Sequence, residues 1–171
     1  MSRSIVCALM IGRKGSIGFP GKNIYPVLGR PLAAYPLLAA KGSTQIERIF
    51  VSTDCPDIMT IAKEHGAELI ERPPKLASKE ALGEDVFVHG YHEIKQRLKK
   101  EDLDAELIVL LFANAATINR HLIDQGVAIL RNEDSFDSAV TTSVYNMWSP
   151  LRSRKLGNDG CLHPMVPFET F

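Results

Sequence analysis

The sequence predicts an α/β fold in which a mostly parallel sheet lies between two layers of helices. Strand-like and helix-like segments alternate along the 171 residues, and this alternation is typical of parallel strands joined by right-handed helical crossovers. The strand-like segments are nearly continuous apolar runs, as expected for strands that are buried on both faces. A glycine-rich polar segment follows the first run, at the position where open α/β sheets bind ligands.

The first half of the chain is predicted to contain two strands and two helices. Residues 4–11 (SIVCALMI) form the first strand. Residues 31–41 look helical, and an internal proline is expected to kink or shorten this helix. Residues 48–53 (RIFVST) form the second strand. The second helix starts at Pro56, which suits the first helical position, and stops at Gly66, a residue that commonly ends helices.

The second half is predicted to contain three strands and two helices. Residues 67–71 form a short third strand. Residues 80–99 and 119–131 are predicted helices because their apolar side chains recur at helical spacing. Residues 106–112 (ELIVLLF) form the fourth and strongest strand, and residues 136–145 form the fifth.

The sequence loses its hydrophobic periodicity after Trp148, and this change predicts the domain organisation. Residues 1–148 are predicted to form one α/β domain, and residues 149–171 are predicted to form an excursion from the sheet. The excursion has three prolines, a glycine-flanked turn and no clear hydrophobic period. Because neither a closing helix nor a closing strand is evident in it, we expect the chain to be a piece of a longer protein.

Charge is distributed unevenly along the chain. The whole chain has 20 basic and 20 acidic residues, and this zero net charge disfavours a nucleic-acid binder. The first 46 residues nevertheless contain six basic residues and no Asp or Glu. This asymmetry predicts a local binding site for an anion near the N-terminus.

Cysteine usage and hydropathy bear on the compartment. Three scattered cysteines are too few for a disulfide framework and suit a reducing compartment. No segment approaches the roughly 20 apolar residues of a membrane span. We therefore expect a cytoplasmic protein with no membrane partner. The five histidines show no spacing typical of metal ligands.

Residues 12–23 (GRKGSIGFPGKN) are the segment most suggestive of function. Four glycines would let backbone N–H groups approach an anion closely, and Arg13, Lys14 and Lys22 add positive charge. The segment matches neither the P-loop nor the dinucleotide-binding fingerprint. It is therefore interpreted as a phosphate-binding loop, with a solvated flexible loop as the alternative.

The same loop resembles a known family signature. RKGSIGFPGKN, followed by GRPL at residues 29–32, is similar to the pattern R-x-G-S-K-x-x-P-x-K-N then G-x-P-L. That pattern belongs to the cytidylyltransferases that activate sialic acid and related keto-deoxy sugars. The resemblance continues through VSTD at 51–54, ERP at 71–73 and LA at 76–77, so it extends over most of the chain.

The resemblance implies a fold and a reaction. The fold is that of the nucleotide-diphosphosugar transferases. In the reaction, the anomeric hydroxyl of an acidic keto-deoxy sugar attacks the α-phosphate of CTP and releases pyrophosphate with the assistance of Mg²⁺. The resemblance also implies a homodimer, to which residues 149–171 would contribute.

The resemblance also implies site residues. The nucleotide-binding residues would be Arg13, Gly15, Ser16, Lys22, Asn23 and Arg72. Arg13 and Lys22 are the expected catalytic residues, because a fixed guanidinium and an ammonium would stabilise charge developing on the leaving group. Each of these cations could instead be an ordinary solvated charge. Asp54 is expected mainly to cap the second helix.

The sequence departs from the family pattern at three positions. Ile17 and Gly83 stand where the family has a lysine and a serine. Phe112 stands where the family has a glutamine that helps to bind nucleotide and sugar, and its ring offers neither a donor nor an acceptor. Asn114 or Thr117 could take over some of these polar contacts to the sugar, with a role only in shaping the turn as the alternative.

Metal ligands are not assigned by the sequence. The pair Asp102 and Asp104 precedes the fourth strand and therefore lies at the wrong edge of the sheet. Asp159 stands in a Gly-Asn-Asp-Gly segment, which is a hairpin signal.

Two alternatives to a CTP-dependent sugar transferase remain open at this point. The protein could be a nucleotidyltransferase that uses another base, another sugar or a sugar phosphate. It could also be a nucleotide-binding module without turnover.

Overall fold

The computed structural model describes residues 2–15, 18–78, 80–142 and 154–165. The chain divides into two compact units, Met1–Ala139 and Val140–Phe171, and each is described here by itself. The predicted boundary between residues 148 and 149 lies outside the described residues.

The core of the first unit is a four-stranded parallel sheet with the strand order β5-β4-β1-β6. Its strands are β1 (Arg3–Gly12), β4 (Ile46–Thr53), β5 (Glu68–Glu71) and β6 (Leu103–Phe112). These are four of the five predicted strands, and β4 and β6 begin two to three residues earlier than expected. The prediction of a mostly parallel sheet is confirmed.

Strand β1 separates two hydrophobic clusters because successive side chains of a strand point to opposite faces. Ala8 and Met10 pack with helices α1 (Ala34–Gly42) and α2 (Pro56–Glu64). Cys7 and Leu9 lie in the other cluster, with helix α4 (Gly83–Lys100). Helices therefore cover both faces, and the three-layer α/β/α architecture is confirmed.

Helix α5 (Arg120–Asn132) joins the face formed by α1 and α2. The Asn119 side chain accepts a hydrogen bond from the Leu122 N–H at 3.1 Å and caps the helix. Its buried side chains, Ile123 and Val127, are four residues apart and lie on one side. The predicted helix at 119–131 is confirmed to within one residue.

The prediction for the first helix is wrong at its start. A short hairpin formed by β2 (Pro26–Val27) and β3 (Arg30–Pro31) precedes α1. Helix α1 therefore begins at Ala34, and Pro36 is its third residue. In the first turn the N–H groups have no partner within the helix, so a proline there removes no helical hydrogen bond.

The connection from β5 to α4 is also more structured than expected. A single helical turn, α3 (Pro74–Ala77), follows β5, and α4 begins at Gly83 rather than at residue 80. Its buried residues (Val86, Gly90, Ile94 and Leu98) are four residues apart. The predicted amphipathic helix is therefore confirmed, with a later start.

The predicted fifth strand at residues 136–145 is wrong over its described part. Residues 136–142 are not a strand, and Phe136 and Val140 are 55% and 81% exposed. A strand needs a partner for its backbone N–H and C=O groups. Among the described residues, β6 pairs only with β1, so this segment has no strand beside it. Residues 143–145 lie outside the described residues.

The second unit contains a small hairpin of β7 (Arg154–Leu156) and β8 (Leu162–Pro164). Gly160 has a φ of 77°, and the Asp159 carboxylate accepts a hydrogen bond from the Cys161 N–H at 3.0 Å. The hairpin interpretation of Asp159 is confirmed, whereas the expectation of a tail without a strand is corrected.

Among the described helices, none combines the length and the apolar character that a membrane crossing requires.

Candidate active site

A cleft of about 230 Å³ opens at the carboxyl ends of β1 and β6. Arg13, Lys22 and Asn23 reach it from the loop after β1, and Arg72 reaches it from the segment after β5. Asn114, which follows β6, also lines it. The fold thus gathers five of the predicted site residues from three separate parts of the chain.

Three predicted site residues stand apart from this group. Gly15 lines an adjoining cavity of about 240 Å³ that shares Arg13, Lys22 and Asn23 with the cleft. Thr117 lines neither cavity. Ser16 lies outside the described residues. The roles predicted for these three residues stay predictions.

The loop after β1 begins at a point of close packing. A Cβ atom on Gly12 would lie 2.6 Å from the Ala113 Cβ and 3.1 Å from the Ile58 Cδ1. Gly15 and Gly21 have φ values of 79° and 73°, in the left-handed region that favours glycine. These glycines let the chain leave β1 next to β6 and curve around the cleft.

Asn23 joins the loop to itself and offers an acceptor. The Asn23 side-chain Nδ2 donates to the Arg13 backbone carbonyl at 3.3 Å. The Asn23 backbone carbonyl accepts a hydrogen bond from the Ala33 N–H at 2.7 Å. The side chain is buried, and Oδ1 has no partner among the described residues. A buried acceptor without a partner is costly, and Asn23 lines the cleft, so a donor group of a ligand is one means of satisfying Oδ1.

Asp54 has a different role from the predicted helix cap. Its Oδ1 accepts a hydrogen bond from the Lys14 backbone N–H at 2.9 Å and so ties the glycine-rich loop to the end of β4. Helix α2 has Cys55 as its N-cap, without a side-chain cap. The proximity of Asp54 to the loop after β1 could have been predicted from the sequence. Both β1 and β4 were predicted as parallel strands, and the carboxyl ends of parallel strands lie at the same edge of a sheet.

Arg72 lines the cleft and is held in place by hydrogen bonds to Ser52. Its Nε donates to the Ser52 Oγ at 3.3 Å, and a terminal nitrogen donates to the Ser52 carbonyl. The side chain is buried, and burial is the main cause that lowers the pKa of Arg72; Asp54 raises it and Arg13 lowers it further. The role of Ser52 was missed, although it lies in the VSTD segment of the resemblance.

Arg13 connects two walls of the cleft. Its Nη1 donates to the Ser78 carbonyl at 3.0 Å, and Ser78 follows helix α3. The two residues are 65 positions apart in the sequence, so this contact holds the guanidinium against a distant segment of the chain. Ser78 was also missed, and no signal in the sequence points to it, because the contact uses its backbone.

The cleft is positively charged. Arg13, Lys22 and Arg72 line it, and no Asp or Glu is among its described lining residues. Within the part of the chain that the structure describes, none of these three cations forms an ion pair. Three cations that form no ion pair among the described residues favour an anionic ligand at this place.

The described residues do not form a protein-only metal site. They contain no group of three or more His, Cys, Asp or Glu side chains placed to hold a metal ion. Asp102 and Asp104 lie at the amino end of β6, as expected, and Asp104 accepts a hydrogen bond from Lys95 at 2.7 Å. We therefore derive no catalytic step through a metal ion.

Comparison with known proteins shows the family to which the chain belongs. Residues 7–154 match the family described as cytidylyltransferase. The chain belongs to the cytidylyltransferase family. This membership confirms the resemblance on which the site residues were predicted.

The relatives act on several acidic sugars, according to their names. A bifunctional pseudaminic acid cytidylyltransferase and hydrolase of Helicobacter pylori is 29% identical over 88% of this chain and 28% of its own length. Pseudaminic acid cytidylyltransferase of Campylobacter jejuni is 28% identical over 78% of this chain and 56% of its own length. N-acylneuraminate cytidylyltransferase A of Danio rerio is 34% identical over 94% of this chain and 35% of its own length.

A solved structure shares the fold. CMP:2-keto-3-deoxy-manno-octonic acid synthetase in complex with CTP superposes with a TM-score of 0.64 at 19% identity, over 78% of this chain and 50% of that one. The chain spans about half or less of the length of the relatives it matches. Family and fold are thereby established for the matched part.

Proposed function

We propose that the protein transfers CMP from CTP to an acidic keto-deoxy sugar and releases pyrophosphate. The observation that carries this proposal is the convergence of Arg13, Lys22 and Arg72, without ion pairs among the described residues, on one cleft at the strand ends. A triphosphate is the ligand whose charge suits three such cations. Family membership and the names of the relatives support cytidine and an acidic sugar as the reactants.

In this reaction the protein acts by positioning and by charge. Nucleotidyl transfer requires little covalent chemistry from side chains. Arg13 is fixed by Ser78, so it can meet the triphosphate without further ordering. Lys22 adds an ammonium group from the other end of the loop. Together they would stabilise negative charge that develops on the departing pyrophosphate.

Asn23 and Asn114 would contact the neutral parts of the two reactants. The free Oδ1 of Asn23 suits an amino or hydroxyl donor of the nucleoside. Asn114 stands at the end of β6 and would bind the acceptor sugar. The sugar's anomeric hydroxyl would then attack the α-phosphate from the side opposite the pyrophosphate.

A requirement for Mg²⁺ is part of the proposal. Mg²⁺ is usually bound through one or two carboxylates together with substrate phosphates, so a nucleotide could supply most of its ligands. Loss of pyrophosphate release on chelation with EDTA, and recovery on adding Mg²⁺, is the expected result. Activity that persists in EDTA would remove the metal from the proposal.

A homodimer and a cytoplasmic location complete the proposal. The family resemblance supports the homodimer, and three free cysteines support a reducing compartment. Light scattering coupled to size exclusion is expected to give twice the mass of the chain. A monomeric mass over the concentration range of the assay would exclude the dimer.

The direct test is an assay of pyrophosphate release. The protein is incubated with CTP, Mg²⁺ and each member of a panel of nonulosonic and octulosonic acids. Release that requires both CTP and one of these acids is expected. Tight binding of CTP without pyrophosphate release across the panel would favour a binding module without turnover.

A second candidate is a nucleotidyltransferase with another base or another acceptor. Phe112, which replaces the family's glutamine and lines the cleft, favours this candidate. Thermal shifts with CTP, UTP, ATP and GTP distinguish the two. The first proposal requires that CTP gives the largest shift.

A further inference from the structure

The cleft has two chemically different walls. Arg13, Lys22 and Asn23 lie on the loop wall. A second set of lining residues, called the apolar wall here, comes from the end of β1, from α3, from the start of α4 with the residue before it, and from the end of β6. Its side chains are those of Ile11, Leu76, Leu82, Val86 and Phe112.

Phe112 is the largest side chain of the apolar wall, and its orientation is fixed. It pairs in register with Ile11, whose side chain belongs to the cluster beneath α4. The edge-to-face contact with Phe87 of α4 has a ring centroid distance of 5.4 Å and an interplanar angle of 81°. Phe112 is nevertheless 50% exposed, so part of its ring faces the cleft.

We propose that Phe112 is a specificity-determining residue that contacts an apolar substituent of the acceptor sugar. On this view, which rests on the proposed function, the preferred acceptor carries a methyl group, such as the terminal methyl of an N-acyl group, where it meets α4. A hydroxyl group at that place would lose its hydrogen bonds to water and find no donor or acceptor on the ring. A methyl group loses nothing and buries apolar surface.

The acceptor is assigned to this wall because the loop wall already accounts for the polar groups of the nucleotide. The cations on that wall suit the triphosphate, and the free Oδ1 of Asn23 suits a donor of the nucleoside. Asn114, two residues beyond Phe112, is a polar lining residue next to the apolar wall. The acceptor is therefore the component that extends along β6 and α4.

The test uses two N-acylated nonulosonic acids that differ only in a terminal methyl or hydroxymethyl group. Their affinities for the CTP-saturated protein are measured by calorimetry with the metal chelated, so that the comparison does not depend on turnover. We expect the methyl sugar to bind about 3- to 10-fold more tightly. Equal affinities would overturn the inference.

Variants identify the residue responsible. Phe112→Gln is expected to abolish or reverse the preference, because the amide can hydrogen-bond to the hydroxymethyl group, whereas Phe112→Leu should keep most of it. Leu110→Gln is the matched control, since Leu110 lies on the same strand with the same 50% exposure but does not line the cleft. A preference that is unchanged in Phe112→Gln would overturn the inference.

The affinity for CTP in the absence of sugar shows whether the base or the acceptor sugar contacts the apolar wall. If Phe112→Gln weakens CTP binding in the absence of sugar as much as it weakens sugar binding, then the ring contacts the base and the inference is wrong. Unchanged CTP affinity supports it. Failure of the proposed function gives a different result, namely no pyrophosphate release with any acceptor, whatever the residue at position 112.

Discussion

At the scale of single residues, the site depends on side chains that hold the backbone as much as on those that face the ligand. Asp54 fixes the glycine-rich loop through a backbone N–H, and Ser52 fixes Arg72 from below. Arg13 is fixed by a carbonyl of a distant segment. These contacts orient two of the three cations before a ligand arrives, which lowers the entropic cost of binding.

Lys22 gives the first prediction at this scale. Lys22→Ala should lower kcat by about tenfold or more, because it removes an ammonium group that stabilises charge on the leaving pyrophosphate. Circular dichroism should show an unchanged fold, since Lys22 forms no ion pair among the described residues. Lys41→Ala, at an exposed position of α1, is the control. A normal rate in Lys22→Ala would exclude the residue from the mechanism.

Asp54 gives the second prediction. Asp54→Ala should raise KM for CTP about 3- to 10-fold, because the loop loses the acceptor for the Lys14 N–H. Asp54→Asn should lie close to the wild type, since its amide oxygen can accept the same hydrogen bond. Equal losses in both variants would show that the charge of Asp54, rather than the hydrogen bond, is what matters.

At the scale of elements, local signals predicted the four strands of the sheet and helices α2, α4 and α5, but not the β2–β3 hairpin or the short helix α3. Helix α2 begins at Pro56 and ends before Gly66 as expected, and the Asn119 side chain caps α5. Residues 136–142 carry a strand pattern but form no strand, because pairing depends on a neighbour that sequence pattern does not supply.

The junction of β1 and its loop gives the third prediction. Gly12→Ala should lower the free energy of unfolding by about 1–3 kcal/mol, because its Cβ would lie 2.6 Å from the Ala113 Cβ. Gly18→Ala is the matched control in the same loop, since a Cβ there meets no atom within 4 Å. Urea denaturation measures both. Equal stabilities would mean that β1 and the segment after β6 can separate without cost.

At the scale of the whole molecule, burial in the three-layer core determines the chemistry of the cysteines. Cys7 lies in the centre of β1 and is fully buried, and this burial raises the pKa of its thiol to about 12. Cys55 is also buried, whereas Cys161 is exposed in the hairpin of the second unit. Thiol reactivity therefore reports on the integrity of the core.

The fourth prediction follows from this difference. At pH 8, one thiol per chain should react rapidly with a disulfide reagent, and three should react in guanidinium chloride. The thiolate is the reactive form, and a group with a pKa near 12 is almost wholly protonated at pH 8. Cys161→Ser should remove the rapid phase. A second rapid thiol in the native protein would show that the region around Cys55 opens.

The amino-acid sequence alone predicted the fold class, the family and the glycine-rich loop that borders the cleft. These depend on local signals: continuous apolar runs, helix-terminating residues and one specific motif at residues 13–23. Arg13, Lys22 and Asn23 belong to this motif, whereas Arg72 was predicted from the ERP segment at 71–73 and Asn114 from its place after Phe112.

How these residues are held around one cleft is visible only in the folded chain. Hydrogen bonds to backbone groups, such as that of Arg13 to the Ser78 carbonyl, leave no trace in residue identity. The role of Asp54 changed from helix cap to loop anchor because a parallel sheet brings the end of β4 next to the end of β1. The apolar wall around Phe112 likewise exists only because α4 packs across β6. Packing between distant segments, which no local pattern encodes, brings the glycine-rich loop and the apolar wall together in one cleft.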